Sequence, residues 1–351
     1  MNRRNFGRLL IAAPAMAASL SGLSTPASAG ASRTQSLIKP PRLRHGDLVG
    51  LIAPGGVVDD ALIEKCVRNL ESFGMRVKVS ANIHAARGGY AGTVAQRVDD
   101  LHAMFLDREV KAIWPARGGS GCVHLLPKIN YSLIRNHPKI LIGYSDVTAL
   151  LLAIYRHAGV VTFHGPVASS TFSDYSVAHL KAVLMEPQAR FDINMSAQNA
   201  GKALQEPQFA RRTIREGVAT GRLVGGNLSV LTAMVGTPYA AEFSGSIMFL
   251  EEIGEAPYRI DRMLTQLSQS GALKNIAGAM LGVFQKAVAI DGEASLTLNE
   301  VLDDHFAQHK TPSVYGFSFG HIAQQFTIPI GVRARLDTAN ATLTLLESAV
   351  A

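Results

Sequence analysis

The sequence predicts an α/β protein. A doubly wound parallel-sheet domain is followed by a mostly β, barrel-like domain, and the functional site lies between them. Three observations carry this expectation. Apolar strand-like runs alternate with helix-like segments between residues 47 and 164. Three turns, Pro54-Gly55-Gly56, Arg117-Gly118-Gly119-Ser120-Gly121 and Gly143-Tyr144-Ser145, each follow such a run. They fall on the edge beyond the strand C-termini, where ligands bind in sheets of this kind. From Gly221 onward, glycine-rich turns separate short strands.

The elements follow in order. Asp47–Pro54 reads as a buried strand, and Asp59–Phe73 carries Leu62, Cys66, Val67 and Leu70 at helical spacing. Gly74–Val79 is the next strand. Val94–Leu106 is a helix with Val94, Val98, Leu101 and Phe105 on one face. Val110–Pro115 is a strand, Val123–Leu126 is helix-like, and Lys139–Ile142 leads into a turn and the helix Val147–His157. Val160–Pro166 is a strand running into a turn, and residues 168–215 are polar with weak periodicity. Gly225-Gly226-Asn227, Gly245–Leu250 and Ala277–Phe284 mark the later strands and turns, with the amphipathic helix Tyr258–Leu267 among them. Ala341–Leu346 alternates like an edge strand. The expected organisation is a signal at 1–29, a linker at 30–40, a first domain at 41–185, a crossing at 186–216 and a second domain at 217–351.

The first residues have the layout of an export signal. Met1–Arg8 is basic, Leu9–Leu20 is apolar and alanine-rich, and Ala27-Ser28-Ala29 suits cleavage. Arg3-Arg4 with Phe6 resembles a twin-arginine signal, with an ordinary secretory signal as the alternative. The periplasm is the expected location. The apolar run is too short for a stable membrane span. Three of the seven excess positive charges (Arg3, Arg4, Arg8) lie in this segment. No basic stripe with interleaved aromatics remains, so nucleic-acid binding is a poor reading. Cys66 and Cys122 make no disulfide framework, and whether they pair is open at this stage. No set of metal ligands or nucleotide-binding loop stands out, so no metal or cofactor is expected.

Ser145 stands between an apolar strand and a helix, where unpaired N–H groups face whatever the serine attacks. Acyl transfer also needs a base, an orienting acid and oxyanion donors. The donors would be the Asp146 N–H and one from Gly118 or Gly119. Among eleven histidines, His321 follows a strand-like run ending in Gly320, and His164, before Gly165-Pro166, is its competitor. The acid lies in Leu250-Glu251-Glu252, just past an apolar strand, and Glu251 and Glu252 both qualify. Glu255, Tyr258 and Arg262 follow within two turns as supporting groups. Arg117 is a candidate for a substrate carboxylate.

Eight motifs appear in order. They are Ile52-Ala53-Pro54-Gly55, Ala116-Arg117-Gly118-Gly119, Gly143–Thr148, His164-Gly165-Pro166, Gly225-Gly226-Asn227-Leu228, Leu250-Glu251-Glu252, Tyr258–Arg262, and Gly320-His321 before Pro329-Ile330-Gly331. In this order the chain resembles the LD-carboxypeptidases, the murein tetrapeptide carboxypeptidase family that includes the microcin C self-immunity peptidases. The resemblance spans roughly residues 45–340. It implies a Ser-His-Glu triad shared between two domains, at Ser145, His321 and Glu251, and it favours Glu251 over Glu252. Beside that triad, Asp146 and Gly119 are the expected oxyanion donors, and Arg117, Gly118, Asn227 and Tyr258 are expected toward substrate. The substrate would be a murein tetrapeptide, cleaved between its L-diamino acid and terminal D-alanine, and the assembly a homodimer. The same machinery acting on a peptide–nucleotide antibiotic or another acyl-amino conjugate, or a non-catalytic muropeptide-binding protein, are the alternatives. Two departures stand out: an export signal in a largely cytoplasmic family, and Ser120 where many relatives carry an aromatic residue.

Overall fold

The computed structural model describes residues 36–351 except His309; the expected export signal lies outside the described residues. The elements run β1 (Leu48–Ile52), α1 (Asp60–Ser72), β2 (Arg76–Val79), α2 (Val94–Leu106), β3 (Val110–Pro115), α3 (Tyr131–Asn136), β4 (Ile140–Gly143), α4 (Thr148–Ala158), β5 (Thr162–His164) and α5 (Asp174–Leu184). They continue with β6 (Phe191–Ile193), α6 (Ala197–Lys202), β7 (Arg212–Arg215), β8 (Val218–Asn227), α7 (Leu228–Ala233), β9 (Ser246–Ile253), α8 (Pro257–Gln269) and β10 (Gly278–Gln285). Last come α9 (Leu298–Phe306), β11 (Ser313–Tyr315), β12 (Ile328–Ile330), β13 (Arg333–Asp337) and β14 (Thr342–Leu345).

The first sheet has six strands in the order β12-β5-β4-β3-β1-β2. Its strands are parallel apart from β12, which returns from the far end of the chain antiparallel to β5. The chain reverses its winding direction between β1 and β3, so the turns after β1, β3 and β4 open on one edge. Its inner strands β1, β3, β4 and β5 are buried and mostly apolar, as expected of a covered parallel sheet, whereas the edge strand β2 is largely exposed.

The second sheet has eight strands, ordered β6-β14-β13-β8-β9-β10-β11-β7. Its centre, β8 to β11, is parallel, and its flanks are antiparallel. Parallel neighbours need crossovers, and α7, α8 and α9 supply them. The sequence foresaw α8 alone, because α7 is short and α9 follows a polar loop. The sheet was expected; it is an open mixed sheet, not the barrel-like closure expected with it. No ladder joins β6 to β7 among the described residues. Two local expectations change. The 186–216 crossing carries both edge strands, β6 and β7. The 341–346 strand is not an edge, because β6 pairs on its outer side.

Helix α4 joins the two sheets and is buried along most of its length. It packs against β8 where Gly226, at φ 150°, leaves no room for a side chain: a Cβ there would lie 2.4 Å from Thr148 Cγ2. Asn227 N also donates to Thr148 Oγ1 at 3.2 Å. The second sheet is thereby pressed against the helix that Ser145 opens. Cys66 and Cys122 are both buried free thiols. No described helix is long and apolar enough to cross a membrane.

Candidate active site

Beyond β4 the backbone of Tyr144 is extended, and Ser145 then turns into the left-handed region at φ 61°. A non-glycine residue there costs about 1–3 kcal/mol and persists only when its surroundings impose it. The following residues start the helix at once, so the Asp146 N–H belongs to the unpaired first turn. Gly118, from the loop after β3, faces this turn. A Cβ on Gly118 would lie 2.9 Å from Ser145 Cβ, 3.1 Å from its Oγ and 3.4 Å from Asp146 N. Gly118→Ala should therefore displace Ser145 and crowd the space beside the Asp146 amide. The expected result is a fold retained by circular dichroism with turnover reduced about 10²–10³-fold, the usual cost of a lost oxyanion donor; unchanged turnover would remove this loop from the site.

The loop is held from behind. Gly56 N donates to Gly118 O at 3.0 Å. The 118–119 peptide is trans, so its N–H, on Gly119, points away from Gly56. Arg97 is buried and donates to Pro54 O at 2.8 Å and Gly121 O at 3.2 Å, tying two of the strand-end turns together. The Asp146 carboxylate accepts from Cys122 N at 3.0 Å. Burial raises its pKa, and the bonds from Cys122 and the charge of Arg97 oppose that rise. The exposed Arg117 side chain extends beside this cradle, its Nε 3.5 Å from the position a Cβ on Gly56 would take.

The second sheet brings the other two residues. Glu251 and Glu252 are successive on β9 and so point to opposite faces. Glu251, fully buried, accepts from His321 Nδ1–H at 2.7 Å through its Oε2. Burial pushes the Glu251 pKa up, but the charge and hydrogen bond of His321 outweigh it and the net shift is down. Burial likewise opposes the charged form of His321, yet the Glu251 charge and hydrogen bond raise its pKa above the ordinary 6.5. Nδ1 is engaged, which leaves Nε2 for chemistry. Ser145 Oγ and His321 are not hydrogen-bonded to each other among the described residues. The ring of Tyr144, the residue before Ser145, lies 4.8 Å from that of His321, edge to face. Catalytic hydrogen bonds of this kind commonly tighten only when substrate is bound.

Glu252 serves the fold. It accepts from Ser229 N and Oγ at 2.7 Å each, at the first turn of α7. Burial raises its pKa against those bonds. Asn227 was expected toward substrate, but its amide is committed internally. Nδ2 donates to Glu252 Oε1 at 3.2 Å, and Oδ1 accepts from Val230 N at 3.2 Å as the cap of α7. Tyr258 sits on the exposed face of α8, its hydroxyl accepting from Arg259 Nε at 2.9 Å. It lines a separate depression with Asp261, Ile290 and Leu296. Arg97 escaped the sequence reading, although a charge at position 97 interrupts the apolar stripe Val94, Val98, Leu101. That interruption was the available signal.

The match to known proteins covers both sheets. A family model described as the LD-carboxypeptidase N-terminal domain matches residues 49–165, and one described as the LD-carboxypeptidase C-terminal domain matches residues 220–336. The chain is 38% identical over 304 residues to a probable murein peptide carboxypeptidase of Bacillus subtilis, covering 87% of this chain and 93% of that protein. It is 32% identical over 299 residues to the murein tetrapeptide carboxypeptidase of Pseudomonas aeruginosa, covering 82% and 92%. Among solved structures it superimposes on an MccF-like protein from Bacillus anthracis with a TM-score of 0.77 at 29% identity, covering 88% of this chain and 99% of that one.

Proposed function

The chain belongs to the LD-carboxypeptidase family, and on that premise we propose that it releases the terminal D-alanine of murein tetrapeptides. The bond cleaved is the one between the L-centre of the diamino acid and D-alanine. The catalytic groups are Ser145, His321 and Glu251. The observation that carries this reading is the buried Glu251–His321 pair, with Nε2 left free and the His321 ring packed against Tyr144, the residue before a serine held at φ 61°.

The reaction follows from these groups. Ser145 Oγ attacks the scissile carbonyl carbon while His321 Nε2 accepts the hydroxyl proton. The carbonyl oxygen becomes an oxyanion held by the Asp146 and Gly119 N–H groups. His321 returns the proton to the departing D-alanine nitrogen, which leaves an acyl-enzyme. Water, deprotonated by His321, then attacks the acyl carbonyl, and Ser145 leaves with the proton. Glu251 keeps the His321 proton on Nδ1 and stabilises the imidazolium. Arg117 receives the free carboxylate of D-alanine in a charge-assisted contact.

The test is D-alanine release by purified mature protein from a free murein tetrapeptide, from the same peptide amidated at its terminal carboxylate, and from free peptide with a chelator. Release is expected from the free peptide with or without the chelator, and to fall steeply with the amide. No release from a folded protein would overturn the reading. Cleavage of an aminoacyl–nucleotide conjugate in its place would establish the second reading, which the likeness to an MccF-like structure supports. Tight tetrapeptide binding without release would mark a binding protein.

A further inference from the structure

His164 is the histidine that the proposed reaction leaves unused, and its setting is unusual. Its ring is fully buried, with both nitrogens lacking a hydrogen-bond partner. Glu251 Oε1, the oxygen not bonded to His321, is also buried without one, as is Thr327 Oγ1. Buried polar atoms are paired in folded proteins with few exceptions, and clustered exceptions call for an explanation.

These exceptions fall together. The His164 ring lies edge to face with Phe249 at 5.4 Å, with Phe319 at 6.1 Å and with Tyr144 at 6.3 Å. Phe249 precedes Glu251 by two on β9 and so shares its face. Phe319 precedes His321 by two, and Tyr144 precedes Ser145. His164 therefore touches the supports of all three catalytic groups. Thr327 comes from the segment entering β12, where Ile328 pairs with His164; Thr327 Oγ1 lies 3.0 Å from the position a Cβ on Gly165 would take.

We propose that His164 is a positioning residue, donating a ring N–H through one bridging water to Glu251 Oε1 and so fixing the carboxylate that orients His321. The inference rests on the triad reading above. The groups close enough to act on the charge of the Glu251–His321 pair are Tyr144 from the β4–α4 turn, His164 from β5, and Glu252, on the opposite face of β9, with the Asn227 that bonds it. Burial holds His164 at a pKa of about 4, so it is a neutral donor at pH 7. Removing the donor leaves the charge on Oε1 unshared. The carboxylate then holds the His321 proton more strongly, and the imidazolium is favoured.

The experiment compares His164→Gln, which keeps an N–H donor, with His164→Phe, which fills the aromatic cage without one. His321 is titrated by NMR on ¹⁵N-histidine-labelled protein, and kcat and KM are measured alongside. In His164→Phe the His321 pKa should rise by about half a unit or more, with kcat down about tenfold and KM little changed. His164→Gln should stay near wild type in all three. An unmoved His321 titration in a folded Phe variant overturns the proposal. Equal shifts in both variants overturn it too, because lost ring packing would then suffice. If the Phe variant does not fold, His164→Leu makes the same comparison. The titration needs no substrate, so missing D-alanine release would sink the function, and an unmoved titration this inference.

Discussion

Ser145→Ala should lower D-alanine release by about 10⁴–10⁶-fold while leaving the fold and its stability nearly unchanged. Residual rates after loss of a serine nucleophile come from oxyanion stabilisation and binding alone. Both survive here, because Asp146 N and the Gly118–Gly119 loop are placed by the backbone and by Arg97. Alanine keeps the φ of 61°, so the strain at this position stays. A change within about 0.5 kcal/mol is expected, as for substitutions that break no internal contact. Ser145→Gly separates the two properties of this residue. It is equally inactive, but glycine pays no left-handed penalty of about 1–2 kcal/mol and gives back about 0.5–1 in chain entropy. The glycine variant should melt above the alanine one. Turnover in either variant comparable to wild type would remove Ser145 from the mechanism, and an alanine variant more stable than the glycine one would deny the strain.

The sequence was most legible where a local pattern dictates structure. A strand, a tight turn and a helix around Ser145 left one conformation open to the serine, and the alternation of the first half gave the parallel sheet. It was least legible where the decision is made by residues far apart. Glu251 and Glu252 are adjacent carboxylates after one apolar strand, and local sequence does not say which face of β9 meets His321. That follows only once β10 and the 316–321 segment lie beside it. Asn227 was expected toward substrate, yet Gly226 lets β8 approach α4 closely and the Asn227 amide donates to Glu252. The parallel centre of the second sheet was hidden for a related reason. Its strands read as short runs separated by glycine-rich turns, and the crossover helices between them are short or follow polar loops. His164 and Arg97 are buried polar groups whose partners lie on other elements, so neither announced its setting.

Glu251→Gln should reduce turnover by about 10³–10⁴-fold with substrate binding largely kept, as expected when the orienting acid of a triad loses its charge. The carboxylate accepts from Nδ1 and so leaves Nε2 bare to take the serine proton. A glutamine amide can instead donate to Nδ1, which puts the ring proton on Nε2, where it blocks that transfer. The same substitution alters the response to pH. His321 is raised above 6.5 because the Glu251 charge overcomes its burial. Without that charge its pKa should fall, and the acid limb of any residual activity should move to lower pH. Stability follows from the same shifts. The raised His321 pKa stabilises the folded state in full below about 6.5, and that share is lost as pH rises through the folded value. The lowered Glu251 pKa stabilises it above the ordinary 4.5, and that share is lost as pH falls through the folded value. Both shares are present together between those ordinary values, so the melting temperatures of wild type and Glu251→Gln should differ most there. Thermal melts from pH 4 to pH 9 would show it. A difference that is flat with pH would mean that the pair contributes through packing and not through charge.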